Sequence, residues 1–268
     1  MKVQNKVFVV TGGGSGIGRA LVLGLLARGA RVAAVDLNPA TLQETADLAG
    51  EKQASLSTHV ANIAQREAVE ALPAQVIERH GAVDGLINNA GIIHPFVKVN
   101  DLTYDVIERV MNVNFYGTLY MIKTFLSYLL QRPEAHIANV SSMGGFVPVP
   151  GQTLYGASKA AVKLLTEGLR SELMDTPVKV SVIFPGAVGT NIAANSGVNI
   201  QSHGGQSSRA MKVLQPEEAA RIILDGIEQD RARILVGSDS TFMDRLSRLS
   251  PERAAKLIYQ QMKSLLAG

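Results

Sequence analysis

Short, almost wholly apolar runs alternate along this chain with longer segments of helical period. Seven such runs indicate strands: "KVFVVTG", "RVAAVD", "LSTHVA", "VDGLINN", "HIANVSS", "VKVSVIFP" and "RILVG". They are continuously apolar rather than alternating, which is typical of strands buried on both faces of a parallel sheet. Helical period covers the segments Ile17–Arg28, Pro39–Ala49, Gln65–Arg79, Thr103–Gln131, Leu154–Met174 and Pro216–Gln229. Repeated β-α-β units therefore predict an α/β fold, a doubly wound parallel sheet with helices on both faces.

Composition narrows the possible classes of protein. A chain of 268 residues, 46% hydrophobic and 18% charged, predicts one large domain over residues 1–268. Cysteine is absent, which excludes disulfides, thiolate nucleophiles and Cys-ligated zinc. The five histidines show no metal-ligand spacing, so we predict no metal site. A chain without cysteine suits a reducing compartment, and we expect the cytoplasm.

No leader peptide, membrane span or nucleic-acid footprint is expected. The first residues, "MKVQNKVFVVTGG", run almost directly into a strand-like segment, which leaves no room for a signal peptide. No apolar stretch approaches the length that a membrane-spanning helix requires. The net charge is only +3, and the basic residues are scattered rather than clustered as nucleic-acid binding requires.

Two segments depart from the alternation. Residues 191–215 are polar and rich in Gly and Ser, and we predict a substrate loop there, because long loops in compact domains are usually functional. Residues 239–268 form a tail that should be helical on both sides of Pro251. Its apolar residues fall along one side, so we expect it to pack on its own core or on a partner subunit. Contact with a membrane surface is the disfavoured alternative.

A glycine-rich turn ends the first predicted strand. The letters "TGGGSGIG", Thr11–Gly18, stand at the first strand-to-helix junction. Glycine lets the backbone turn sharply and approach a ligand, and the following helix offers free N–H groups to a pyrophosphate. Gly12, Gly16 and Gly18 fit this role, although their spacing is not the common G-x-G-x-x-G. The position of the turn within a βαβ unit favours a dinucleotide site over a merely tight connection.

Asp36 ends the second predicted strand, eighteen residues after Gly18. A carboxylate at this strand tip can accept both hydroxyls of an adenosine ribose and would repel a 2′-phosphate. The next residues, Leu37 and Asn38, offer no cation to such a phosphate, and neither does Ser15 in the turn. We therefore predict NAD rather than NADP as the cofactor.

Two Tyr–Lys pairs stand four residues apart, a spacing that stacks side chains on one helix face. Tyr155 and Lys159 enclose only small residues, whereas Tyr259 and Lys263 enclose Gln-Gln-Met in the tail. Only the first pair has a polar neighbour at a strand end, Ser142, thirteen residues earlier. Because ligands sit beyond the carboxyl ends of parallel strands, Tyr155 is the candidate for chemistry.

These motifs together resemble the short, single-domain branch of the short-chain dehydrogenase/reductase family. The matching motifs, in the family's order, are "TGGGSGIG", "NNAG" (88–91), "NVNFYG" (112–117), "NVSS" (139–142), "YGASK" (155–159) and "PGAVGT" (185–190). The resemblance covers residues 11–190, and the remainder matches only in outline. It implies a Rossmann-type sheet of about seven strands, nicotinamide chemistry and a homodimer or homotetramer built on helices Thr103–Gln131 and Leu154–Met174.

The resemblance implies a catalytic tetrad of Asn114, Ser142, Tyr155 and Lys159. Tyr155 would exchange a proton with the substrate oxygen, and positive charge from Lys159 and from oxidised nicotinamide should lower its pKa from about 10. Ser142 would donate a hydrogen bond to the same oxygen. Lys159 would also bind the nicotinamide ribose, and Asn114 would hold a water on a proton path to solvent.

Further residues are expected to line the cofactor cleft. Asn62 stands where the family often has Asp, and its amide oxygen can still accept a bond from the adenine amino group. Asn88 is expected to be structural, bonding the backbone of neighbouring strands. The predicted cofactor-binding residues are Gly12, Ser15, Gly16, Ile17, Gly18, Asp36, Leu37, Asn62, Ile63, Asn89, Ala90, Gly91, Tyr155, Lys159, Pro185, Gly186, Val188 and Thr190.

The substrate pocket is expected to be largely apolar. The predicted substrate contacts are Ser142, Met143, His94, Gln152 and Tyr155, with the loop 191–215 close by. No Arg is placed to hold a carboxylate or phosphate, so we expect a secondary alcohol or ketone on an apolar frame. His94 is more often a loop residue without a ligand than a substrate contact. Two alternatives stay open: an NADPH-dependent carbonyl or ketoacyl-thioester reductase, and a non-catalytic dinucleotide-binding regulatory protein.

Overall fold

A central seven-stranded sheet organises the protein. The computed structural model describes residues 1–198 and 213–263. All strands pair in parallel, in the order β3-β2-β1-β4-β5-β6-β7. Their bounds are β1 Val7–Thr11, β2 Arg31–Asp36, β3 Leu56–Val60, β4 Gly85–Asn88, β5 Ala135–Val140, β6 Val178–Pro185 and β7 Arg233–Val236. The predicted doubly wound parallel sheet is confirmed.

The helices lie on both faces of this sheet. Their bounds are α1 Gly16–Ala27, α2 Pro39–Leu48, α3 Arg66–Glu70, α4 Leu72–His80, α5 Tyr104–Met111, α6 Thr118–Leu129, α7 Thr153–Glu172, α8 Ile192–Asn195, α9 Pro216–Glu228, α10 Ser238–Leu249 and α11 Pro251–Met262. Within the described residues, no helix is long and apolar enough to cross a bilayer.

Two predicted helices are interrupted. The segment 65–79 forms α3 and α4, with a break at Ala71 and Pro73 in the first turn of α4. Proline lacks an N–H donor and is tolerated in the first turn of a helix but not in its interior, which explains the new start. The segment 103–131 contains α5 and α6 joined by a π-helical turn at Asn112–Gly117. Such turns often occur at functional sites.

Alternate side chains along a strand pack into separate hydrophobic cores on the two faces of the sheet. In β1, Phe8 and Val10 belong to the core beneath α1, α2 and α9. Val7 and Val9 belong to the core beneath α4, α6 and α7. This two-sided burial explains why the strands are continuously apolar.

The chain order reverses beside β1, because the chain leaves β3 at one edge and returns at β4 on the other side of β1. In a doubly wound sheet such a switch point opens a crevice at the carboxyl ends of the strands. The fold therefore brings the end of β1, the end of β4 and the start of α1 to one rim.

The tail packs on its own chain. Ala254 and Ile258 of α11 are about 1% exposed and join Met243 and Val147 in a small apolar core. Helices therefore lie on both sides of Pro251, and their apolar side covers the segment that follows β5. Residues 264–268 of the predicted tail lie outside the described residues.

Candidate active site

The glycine turn leads directly into an uncapped helix. Gly12 and Gly16 have φ values of +69° and +51°, a left-handed region that favours glycine. A Cβ on Gly18 would overlap the carbonyl oxygen of Gly12, so the turn and the helix can meet only without a side chain there. Ser15 precedes α1 and makes no side-chain cap. The first amides of α1 are therefore available to an anion, and the turn fits a dinucleotide pyrophosphate.

Asp36 is held in place by the backbone around it. One carboxylate oxygen accepts from the Gly14 amide at 2.9 Å and the other from the Asn38 amide at 3.1 Å. A carboxylate has about four acceptor positions, so capacity for ribose hydroxyls is left. Leu37, the neighbouring residue, is 65% exposed. The strand tip thus presents a fixed negative charge beside the glycine turn.

Arg19, the nearest cation on α1, is engaged elsewhere. Its Nε donates to the carbonyl oxygen of Gly14 at 2.9 Å, and its terminal nitrogen pairs with Glu44 at 2.6 Å. Thr45 accepts a further bond at 3.1 Å. The guanidinium therefore braces the glycine turn against α2, and it is not free beside Asp36.

Thr11 ties the end of β1 to the segment after β4. Its hydroxyl accepts from the amides of Asn89 at 3.0 Å and Ala90 at 3.1 Å. The Asn89 side chain donates back to the Thr11 carbonyl oxygen at 3.1 Å. Sequence reasoning did not single out this role, although a hydroxyl residue at a strand tip was a possible signal for it.

Asn88 is structural, but not in the way expected. Its amide nitrogen donates to the side-chain oxygen of Asn139 at 2.8 Å, rather than to the backbone of a neighbouring strand. Asn139 in turn donates to the Thr166 hydroxyl at 3.0 Å. The side-chain pairing is possible because Asn88 and Asn139 are register partners on adjacent strands.

Asn114 lies in the π-helical turn and is fully buried. Its amide nitrogen donates to the Ile92 carbonyl oxygen at 3.0 Å and to the Ser158 hydroxyl at 2.9 Å, and its oxygen accepts from the Ile92 amide at 2.9 Å. The side chain thus joins α7 to the segment after β4. Its expected water contact stays a prediction. Ser158, a positioning residue here, was seen in the sequence only as a small spacer.

Lys159 lies on α7, and its side-chain amine is buried against the end of β5. Its Nζ donates to the Val140 carbonyl oxygen at 3.0 Å, and burial lowers its pKa to about 8. A Cβ on Gly91 would stand 3.0 Å from this nitrogen, so the glycine of "NNAG" leaves room for the amine. Lys159 is therefore mostly charged at neutral pH, with few partners to satisfy it.

Tyr155 stands between Lys159 and Ser142. The Lys159 nitrogen is 6.0 Å from the centre of the Tyr155 ring. Burial raises the pKa of Tyr155, and a hydrogen bond with Ser142 partly offsets this increase. Removal from water is thus the largest effect on this pKa in the chain alone, and the lowering expected from Lys159 together with oxidised nicotinamide stays a prediction.

The end of β6 is fixed by Asp239 in the first turn of α10. The Ala187 amide donates to this carboxylate at 2.7 Å, and a side chain on Gly186 would overlap it. Pro185 ends β6, Val188 bridges to Leu214, and Thr190 lies against Gly16. The four predicted cofactor residues of this segment thus follow one another along the rim. The sequence did not predict the role of Asp239, because this residue is remote from them along the chain.

Two predicted cofactor-binding residues after β3 already have partners within the chain. The Asn62 side-chain oxygen accepts from the Ala64 amide at 3.0 Å, and one acceptor position is left. Ile63 is 7% exposed and packs in the core against Gly117. Its side chain therefore belongs to the core, and only its backbone could face a ligand.

The predicted substrate contacts differ in environment. Met143 packs on the apolar core that α11 covers. His94 and Gln152 are 1% and 3% exposed, and the Gln152 amide nitrogen donates to the His94 carbonyl oxygen. The structure therefore joins two residues that the sequence placed 58 positions apart.

The first part of the predicted substrate loop crosses the rim of the cleft. The Asn195 side chain donates to the Ser15 hydroxyl at 2.9 Å, and the Ile93 amide donates to Ser196 at 3.0 Å. Arg109 also donates to the Ser196 carbonyl oxygen at 3.2 Å. Residues 199–212 of the loop lie outside the described residues.

Comparison with known proteins agrees with this geometry. A family described as "short chain dehydrogenase" matches residues 6–201. "Putative oxidoreductase SadH" of Mycobacterium tuberculosis is 36% identical over 95% of this chain and 94% of its own. "Dehydrogenase/reductase SDR family member 7B" of Rattus norvegicus is 29% identical over 98% of this chain and 82% of its own.

A solved structure of the same kind is similar throughout. A short-chain dehydrogenase/reductase from Burkholderia phymatum, crystallised with NAD, superposes with a TM-score of 0.84 at 26% identity. The match covers 94% of this chain and 96% of that one. The similarity therefore includes the whole sheet and its helices.

Proposed function

The chain belongs to the short-chain dehydrogenase family, and from that premise we propose that it is an NAD-dependent oxidoreductase for secondary alcohols and ketones. Oxidoreductases of this family bind a nicotinamide dinucleotide and act on CH–OH or carbonyl groups. The finer parts of the proposal are the preference for NAD, a reaction that runs toward oxidation of the alcohol, and a substrate of largely apolar character. The observation that carries it is the convergence of Asn114, Ser142, Tyr155 and Lys159 on one rim.

The chain's own residues would hold the dinucleotide along that rim. The open first turn of α1 would bind the pyrophosphate, Asp36 the adenosine ribose and Lys159 the nicotinamide ribose. When bound, the nicotinamide would supply the hydride acceptor or donor that no side chain provides. Support for NAD comes from the fixed carboxylate of Asp36 and from the NAD complex of the similar Burkholderia phymatum protein.

Tyr155 and Ser142 would act on the substrate oxygen. Ser142 would donate a hydrogen bond where charge develops. In reduction, Tyr155 would give its proton to that oxygen, which the raised pKa of its hydroxyl allows. In oxidation, Tyr155 must first lose this proton, and the cationic Lys159 and the charge of the oxidised nicotinamide would favour that loss.

Asp36→Asn tests the cofactor preference. The substituted side chain keeps an oxygen that can accept from the backbone N–H of Gly14, but it lacks the charge that would repel a 2′-phosphate. We expect wild-type kcat/KM to favour NAD, and the variant to shift the NAD-to-NADP ratio toward NADP by roughly tenfold. Asp47→Asn, an exposed change on α2, is the control.

Rates for a panel of secondary alcohols, followed by NADH or NADPH absorbance, give the measurement. A wild-type preference for NADP would instead favour an NADPH-dependent carbonyl or thioester reductase. No turnover with either cofactor, despite tight binding of both, would favour the regulatory alternative.

The proposal includes a homodimer or homotetramer in the cytoplasm. Exposed apolar side chains on the helices that the family uses for assembly support the oligomer. Tyr104 of α5 is 83% exposed and Leu164 of α7 is 68% exposed. A monomeric mass in sedimentation would contradict it.

A further inference from the structure

Two buried polar atoms, one in the segment after β4 and one at the start of α7, lack a hydrogen-bond partner within the described residues. They are Nε2 of His94 and Oε1 of Gln152, and no group in the described part of the chain bonds either atom. Both side chains are more than nine-tenths buried. Buried polar atoms are almost always paired, because an unpaired one loses the hydrogen bonds that it made to water.

The bonding of His94 determines what its free nitrogen can do. Nδ1 lies 2.7 Å from the carbonyl oxygen of Pro95. A carbonyl oxygen can only accept, so Nδ1 carries the proton. Burial lowers the pKa of His94, which keeps the ring neutral. Nε2 therefore has a lone pair and acts as an acceptor.

Gln152 is constrained in the same way. Its side chain bonds the carbonyl oxygen of His94, so the amide nitrogen must face that oxygen. Oε1 then points elsewhere and can only accept. Two linked residues thus present two acceptors and no donor to satisfy them.

Backbone hydrogen bonds tie the two residues that carry these acceptors to the catalytic segments. The Gln152 carbonyl oxygen accepts from the Gly156 amide at 2.8 Å, so Gln152 stands at the first turn that carries Tyr155. His94 follows Ile92, whose backbone is bonded on both sides by Asn114. The Ile93 amide also donates to Ser196, which ties the start of the loop 191–215 to the residue next to His94.

We propose that His94 and Gln152 recognise a second hydroxyl on the substrate, one that donates a hydrogen bond to this acceptor pair. The inference rests on the proposed alcohol or ketone chemistry and names its substrate class: a diol or hydroxyketone on an otherwise apolar frame. The nearby apolar residues Met143, Phe146 and Val149 suit the rest of such a frame. A buried water could serve the same atoms, and the test separates the two.

The test uses three matched substrates with the wild-type enzyme and NAD: cyclohexanediols, their monomethyl ethers and cyclohexanol. We expect kcat/KM for the best diol to exceed that for cyclohexanol by about tenfold or more. The ethers should be as poor as cyclohexanol, because their second oxygen has no hydrogen to donate. Equal kcat/KM values would overturn the inference while leaving the proposed function standing. Turnover of none of the three, nor of the wider alcohol panel, would contradict both.

Variants assign the preference to the two residues. His94→Phe keeps a ring and Gln152→Met keeps the length, and each removes an acceptor. In either variant the diol-to-cyclohexanol ratio should fall to within about threefold of one. His59→Phe, a change in the edge strand β3 away from the site, should leave the ratio at its wild-type value. An unchanged ratio in folded His94→Phe, judged by its NADH affinity, would overturn the assignment.

The tautomer is tested without turnover. In the wild-type protein labelled with nitrogen-15 at histidine, Nε2 of His94 should be unprotonated at neutral pH. In the NADH complex its resonance should move when a diol is added and stay when the ether is added. A proton on Nε2, or equal shifts with both compounds, would overturn the acceptor pair.

Discussion

Tyr155 and Tyr259 have the same spacing to a lysine but different surroundings. Tyr155 contacts Ser142 and the buried Lys159, whereas Tyr259 is 54% exposed on the last helix. Chemistry at a tyrosine therefore depends on burial and neighbours, and the spacing alone supplies neither.

Tyr155→Phe should abolish turnover while leaving NADH affinity nearly intact. The change removes only the hydroxyl that exchanges a proton, and we expect kcat to fall by at least about a hundredfold. NADH absorbance measures the rate, and NADH fluorescence measures binding. Tyr259→Phe is the matched control and should keep the wild-type rate. A Tyr155→Phe enzyme with most of its activity would show that another group moves the proton.

At the scale of elements, α11 supports the segment that follows Ser142. Ile258 is 1% exposed and packs with Val147 and Met243, and Met143 and Phe146 lie against the same core. α11 thus packs behind residues 143–149, a segment that we expect to border the substrate, although it carries none of the predicted site residues.

Ile258→Ala should destabilise the protein and weaken substrate binding. Removing a buried Ile side chain leaves a cavity, which costs about 2–4 kcal/mol of the free energy of unfolding. Because the cavity lies behind residues 143–149, KM should rise while the affinity for NADH stays near that of wild type. Urea denaturation and steady-state kinetics give the two measurements.

The control for this change is Tyr259→Ala on the exposed side of the same helix. It should alter the free energy of unfolding by less than about 0.5 kcal/mol. An equal loss in both variants would show that packing on the 143–149 segment is not responsible, since both changes to Ala favour the helix itself.

For the whole molecule, buried histidines should make stability depend on pH, and His136 and His80 have the largest pKa shifts among them. Burial lowers the pKa of His136 to about 3 and that of His80 to about 4, the latter helped by Arg79 and Arg31. In the unfolded chain both titrate near the usual value of about 6.5. Below about pH 6.5 the unfolded state binds protons that the folded state does not bind. The free energy of unfolding that these histidines contribute above about pH 6.5 is therefore lost as the pH falls toward their folded pKa values.

The free energy of unfolding should therefore fall between about pH 6.5 and pH 4, by up to about 1.4 kcal/mol per pH unit for each histidine. His136→Gln should be less stable than wild type near neutral pH but should show a shallower dependence. Urea unfolding at several pH values measures both slopes. Equal slopes would show that His136 does not contribute.

Much of the whole fold could be predicted because it follows from local patterns. Continuous apolar runs and helical period specify buried parallel strands and covering helices without any knowledge of distant contacts. The break at Ala71 and the π-helical turn around Asn114 were missed, because helical period continues through both while the backbone bonding changes.

The sequence by itself determined the class of fold, the glycine turn, the acidic tip at Asp36 and the candidates of the tetrad, since each depends on residue type and short spacing. Only the tertiary structure decided which groups meet: Thr11 with Asn89, Asp239 with Ala187, and Gln152 with His94. It also decided that burial raises the pKa of Tyr155. Hydrogen bonding and desolvation act between atoms that are close in space, and separation along the chain does not determine that closeness.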